Sequence, residues 1–324
     1  MTNSELKKAL RDEIAIPKEI LNLIPKYTRL YFFDFGDDFV RLAPECRACL
    51  LSRVVAEAEY ASSDAETVAL ALRRCTELYD SRADEPVGAS VIAGAVHRCC
   101  YAVIGSADPY ADLKVQDNAV AAGVAEAVLP MLSSVHDYVV AAVIGNAMDY
   151  GVAGHEIAKD FTGYFREMFE RGLAQDDTER ILALAERVVY CTDNCGEAVF
   201  DKLLCAELRR RGSHVTIVVK DQPMLNDVTM QEARGLRLDE ASDAVYHAGG
   251  GAQLGLHPDV YPPEVVAAMR DATLIIAKGL ANYESMTEYA GLPPVAYLMT
   301  VKCEPVARHV GAKKGDLIAV LRQQ

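Results

Sequence analysis

The spacing of apolar residues changes near residue 186, and that change constrains the fold more than any other feature of the chain. From about Glu45 to Glu186 apolar side chains recur at helical intervals, in segments spanning residues 46–60, 65–79, 88–104, 111–131 and 134–148. That period lines one face of a helix for burial. Ser62-Ser63-Asp64 and Asp108-Pro109 supply helix-start chemistry at two of the breaks, and abundant alanine favours close helix packing. Beyond Glu186 short apolar runs stand at residues 187–192, 214–219, 244–247, 273–277 and 295–301, with helical stretches between. Strands alternating with helices predict a parallel sheet covered on both faces. The expected class is α/β, with a helical domain over residues 46–180 and an α/β domain over 181–324. The polar stretch Ala174-Gln175-Asp176-Asp177 marks the join, and residues 1–45 form an extension of uncertain fold with an aromatic, β-like run at 29–35.

Charge and composition exclude several partners. The net charge is −14, and the basic clusters Arg209-Arg210-Arg211 and Lys313-Lys314 are short. They read as a helix C-terminus and a loop, so nucleic acid is not an expected partner. No apolar run approaches the roughly 20 residues of a membrane span, and the charged N-terminal segment lacks the apolar core of a secretory signal. A cytoplasmic protein is expected, with its nine cysteines as reduced thiols.

Ligands of open α/β sheets bind beyond the carboxyl ends of the strands. Asp193, Asn194, Gly196 and Glu197 stand after the first predicted strand, and Lys220, Asp221, Asn226 and Asp227 after the second. Gly249-Gly250-Gly251 follows the third, Lys278, Gly279, Asn282 and Glu284 the fourth, and Lys302 the fifth. Carboxylates and an amide carbonyl are hard donors suited to Mg²⁺ or Mn²⁺. Lysines can hold phosphate as point charges, and Gly196 permits a close approach at a helix N-terminus. Each piece has a plainer reading. Asp193-Asn194 and Asn226-Asp227 also suit helix caps, and the triple glycine fits a turn as well as a phosphate loop. The gathering of such groups at one edge, beyond what capping requires, favours a site.

Four stretches together resemble the damage-control phosphatases, the family also known as domain of unknown function 89. They are Asp193-Asn194-Cys195-Gly196-Glu197, Lys220 through Asn226-Asp227, Ala277-Lys278-Gly279-Leu280-Ala281-Asn282-Tyr283-Glu284, and Lys302-Cys303-Glu304-Pro305-Val306-Ala307. Cys46-Arg47-Ala48-Cys49, Asp108-Pro109-Tyr110 and Gly145-Asn146-Ala147-Met148-Asp149 resemble the helical half of its stand-alone prokaryotic branch. The resemblance implies a helical domain packed on a Rossmann-like, three-layer domain with a mostly parallel sheet. It implies a divalent-metal-dependent phosphatase (Mg, Mn, Co or Ni) acting on a small phosphorylated metabolite, such as a damaged or side-product one. Carried over by motif, Asp193, Asn194 and Asp227 hold the metal, Asn282 and Lys278 line the substrate site beside Gly196, and Lys302 meets the phosphate. Glu197 and Asp221 are candidates for general base or for orienting neighbours, and the nucleophile is either a water or a carboxylate.

The chain departs from the eukaryotic sugar-phosphate members, which carry arginines where Glu284 and Met299 stand, so a different or less anionic substrate is expected. Cys46 and Cys49 read as half a zinc site, a redox pair or buried thiols. Cys195 reads as packing, and His247 and His257 flank the glycine loop. Two rival functions remain: a binding module without turnover, and a Rossmann-like methyltransferase, although the first strand–helix turn has Asp-Asn in place of glycines.

Overall fold

A computed structural model describes residues 39–147 and 160–323; the run at 29–35 and Met148-Asp149 lie outside them. Helices α1 (Pro44–Tyr60), α2 (Ala65–Arg82) and α3 (Ala89–Ile104) come first. The Asp64 side chain accepts from Thr67 N at 2.8 Å to start α2, and Gly105, at φ +68°, ends α3. Val54, Ala71, Cys75, Val96 and Cys100 form their shared apolar cluster. Next come α4 (Ala111–Val128), α5 (Val135–Gly145) and α6 (Phe161–Arg171). Ser134 and Asp137 cap α5 reciprocally.

Among the described residues the sheet has seven strands: β1 (Gln175–Asp176), β2 (Arg187–Cys191), β3 (His214–Val219), β4 (Ala244–His247), β5 (Leu274–Lys278), β6 (Val295–Thr300) and β7 (Leu317–Arg322). Their order is β1-β7-β6-β5-β2-β3-β4. All neighbours are parallel except β6 and β7. The five strands expected from the sequence form the parallel block, and β7 and the two-residue β1 extend one side of it. Part of the polar join is therefore an edge strand.

Strand alternation explains why β2 is buried and carries no charged residue from Val188 to Cys191. Val188 and Tyr190 point into one cluster, with α4, α5, α6 and α8 (Glu197–Arg210). Val189 and Cys191 point into the other, with α10 (Pro263–Asp271), α11 (Gly279–Met286) and α12 (Glu304–Val310). Both faces are buried, so neither parity can be polar. Two short helices, α7 (Thr178–Ala183) and α9 (Met230–Gly235), complete the layers. Gly145 closes the contact between α5 and α8, since a Cβ there would lie 2.9 Å from Phe200 Cδ2.

Candidate functional site

β2 lies between β5 and β3. The helix after β2, α8, packs on one face, and the helix after β5, α11, packs on the other. Diverging connections of this kind open a crevice at the carboxyl ends of the strands. Asp193 and Asn194 emerge there. An isolated antiparallel bridge pairs Asn194 with Asp227, fastened by Val228 N to Asp193 O at 2.9 Å and Cys195 N to Asn226 O at 2.8 Å. Asp193, Asn194 and Asp227 are all buried.

Two amides organise the carboxylates. Asp193 Oδ2 accepts from Asn194 Nδ2 at 2.8 Å and from Asn146 Nδ2 at 3.3 Å. Glu197 Oε2 accepts from the same two groups, at 3.1 and 2.6 Å. With its nitrogen so engaged, Asn194 keeps its carbonyl oxygen as the hard donor. Asn146 Oδ1 in turn accepts from Thr300 N at 3.0 Å, which fixes the end of α5 on β6. The other Glu197 oxygen accepts from Lys278 Nζ at 2.6 Å. Lys278 also donates to Asp201 Oδ1 at 2.7 Å and Ala142 O at 2.9 Å, so its three protons are all placed within the protein.

The far side of the crevice is less saturated. Among the described residues Asp227 Oδ2 is buried without a hydrogen-bond partner; Lys220 Nζ forms an ion pair with it at 3.5 Å. Lys220 donates instead to Gly255 O at 2.6 Å and Asn282 Oδ1 at 3.0 Å. Asn282 Nδ2 donates to Thr192 O and Lys278 O, tying the ends of β2 and β5 together. Burial holds the Asp193 carboxyl well above the usual carboxylate range, and the Glu197 and Asp227 charges push it the same way against Lys302 and Lys220. Burial also pushes Asp227 up to about 6, against the attraction of Lys220 and Lys114. These are the signs of an acidic site short of positive charge.

The crevice thus gathers Asp193, Asn194, Gly196, Glu197 and Asp227, with Lys278 and Asn282 in its floor and the half-buried Lys302 after β6. Asp221 turns to the glycine loop, where its Oδ2 accepts from Gly251 N at 2.8 Å. Gly249, Gly250 and Gly251 all have positive φ, so the run is a turn that other residues would strain. Met299 is fully buried in the apolar cluster below β6. Three partners enter the site in roles that the sequence did not assign them; Lys220, expected among the phosphate-holding lysines, instead holds Gly255 O and Asn282 Oδ1. Asn146 lay inside a quoted motif, Lys220 stood at a strand end, and Asn118, whose Oδ1 accepts from Gly196 N at 2.7 Å, carried no local signal. Among the described residues no three His, Cys, Asp or Glu side chains converge as a ligand set, and no helix is long and apolar enough to cross a membrane.

A family model, the damage-control phosphatase ARMT1-like domain, matches residues 42–318. The chain belongs to this family. A damage-control phosphatase of Archaeoglobus fulgidus is 38% identical over 294 residues, covering 86% of this chain and 99% of that protein. One from Pyrococcus horikoshii is 26% identical over 281 residues, covering 85% and 96%. The crystal structure of a DUF89 family protein from Pyrococcus horikoshii superposes with a TM-score of 0.79 at 25% identity, covering 88% of this chain and 99% of that one. Family membership makes the chain a phosphatase.

Proposed function

We propose that this damage-control phosphatase depends on a divalent metal ion (Mg, Mn, Co or Ni) held by Asp193, Asn194 and Asp227. The substrate on this reading is a small phosphorylated metabolite, a damaged or side-product one, met in the cytoplasm. The observation that carries the reading is Asp227, a buried carboxylate whose Oδ2 makes no hydrogen bond among the described residues, has only the 3.5 Å ion pair with Lys220, and repels the buried Asp193. Two carboxylates and an amide oxygen are a hard donor set, and a cation between them would relieve both their repulsion and their lost hydration. A bound ion supplies polarisation of a phosphoryl oxygen and neutralises charge on it.

The chain's own residues do the rest. Lys302, half-buried after β6 and close enough for its charge to act on Asp193, receives a phosphate oxygen on this reading. Glu197 accepts three N–H bonds and so orients Asn146 and Asn194 toward Asp193. Asn282 and Lys278 fix the floor on which the substrate rests. On this reading residues 46–180 act as a supporting domain, contributing Asn118 and Asn146, and residues 181–324 supply the ligands.

Phosphate release from phosphosugars, phosphopantetheine and p-nitrophenyl phosphate, with each of the four metals and with chelator, tests the reading. Metal-stimulated release is expected, and Asp193→Ala should lower it at least about a hundredfold while the fold survives. Equal release in chelator, or full activity in the variant, would contradict the assignment. Metal binding without release would leave a binding module.

A further inference from the structure

We infer that Tyr101, on α3, is a positioning residue for Asp227 and acts through the strained backbone of Leu225. The inference rests on the metal-site reading above. Leu225 has φ +51°, the left-handed region where a bulky L-residue is an outlier. It stands two positions before Asp227, and strain of this kind persists only where the surroundings impose it.

The surroundings here can be named. Leu225 N donates to Tyr101 Oη at 2.9 Å, and Tyr101 is buried in the cluster of α1, α2 and α3. Met224, fully buried, and Leu225 pack into that same cluster. On the other side Asp227 N donates to Met224 O at 3.1 Å, and Asn226 O accepts from Cys195 N at 2.8 Å. The turn is therefore clamped between the helical cluster and the loop after β2. Removing Tyr101 Oη leaves the Leu225 N–H without its acceptor. The backbone can then relax toward negative φ, which rotates the following peptides and carries the Asp227 carboxylate away from Asp193.

Calorimetric titration of the full chain with Mn²⁺ tests this without relying on turnover. Tyr101→Phe keeps the ring and its packing and removes only the oxygen. It should weaken Mn²⁺ binding about tenfold, the loss expected when a group supporting a ligand is removed. Adding Leu225→Gly should restore binding to within about twofold, because glycine adopts positive φ freely. Adding Leu225→Ala removes similar packing but keeps the strain, and should not restore it. Thermal melts by circular dichroism accompany each variant. If Tyr101→Phe alone fails to fold, a folded Y101F/L225G that binds as wild type still supports the inference, and one that does not overturns it.

Unchanged binding in Tyr101→Phe overturns the inference while leaving the metal reading intact. So does equal rescue, or equal failure, of the glycine and alanine variants. A wild-type chain that binds no Mn²⁺, Mg²⁺, Co²⁺ or Ni²⁺ overturns the metal reading and this inference with it.

Discussion

Lys278 Nζ lies 2.6 Å from Glu197 Oε1, and neither side chain reaches solvent. The same ammonium stands 2.7 Å from Asp201, which also accepts from Tyr190 Oη at 2.7 Å. A buried cation shared by two carboxylates adds little stability over an apolar core, but removing it alone strands two charges. Lys278→Met should therefore cost about 3–5 kcal/mol, read from urea unfolding. A loss under about 1 kcal/mol would show that Glu197 and Asp201 do not depend on it. Arginine is not a conservative replacement here, because a planar guanidinium cannot direct its donors as one ammonium does to Glu197, Asp201 and Ala142 O.

Gly279 follows that lysine and bears directly on the site. Its φ is +74°, and a Cβ at this position would overlap Asp193 Oδ2 and lie 3.0 Å from Asn146 Nδ2. Gly279→Ala should destabilise by about 1 kcal/mol or more. It should also weaken Mn²⁺ binding by at least about tenfold, since Asp193 must move. Calorimetry that found wild-type affinity would mean that Asp193 is not a ligand in this orientation.

An acidic pair on the other side of α11 gives a pH dependence. Burial pushes Glu284 up to about 7, helped by the charge of Glu288. Burial also pushes Glu288 up to about 7, against the hydrogen bond from Ser90 Oγ at 3.2 Å. Folded pKa values above the unfolded ones mean that the native state binds these protons more tightly. Their contribution is complete below about pH 4.5, the ordinary glutamate value, and is lost as pH rises through about 7. Glu288→Gln, which mimics the protonated acid, should match wild type at pH 5 and exceed it by about 1–2 kcal/mol at pH 8. Denaturant melts at the two pH values check this; equal stability at both would contradict it.

Much of the architecture was legible in local pattern. The helical period before residue 186 and the strand-length runs after it marked α1–α5 and the five parallel strands. Those patterns are dictated by which side chains must be buried, and a parallel strand covered on both faces cannot alternate with charged residues, as β2 shows from Val188 to Cys191. One edge strand was less visible. β1 is two polar residues held by backbone pairing to β7, and such pairing leaves no side-chain signature.

The candidate site divides in the same way. By itself the sequence determined that Asp193, Asn194, Asp227 and Lys302 share one edge, because residues that end parallel strands must come out together. Only the tertiary structure decided which polar groups meet across long separations. Asn146 reaches Glu197 from 51 positions away because α5 packs on the sheet, and Tyr101 reaches Leu225 from 124 because α3 packs against the turn at Met224 and Leu225. It also decided that Lys278 lies in the floor with every proton placed, whereas the spacing of the motif suits a substrate-facing lysine equally well. Local sequence sets where a side chain starts; the packing of distant elements sets its depth and its partners, and these determine its charge and its work.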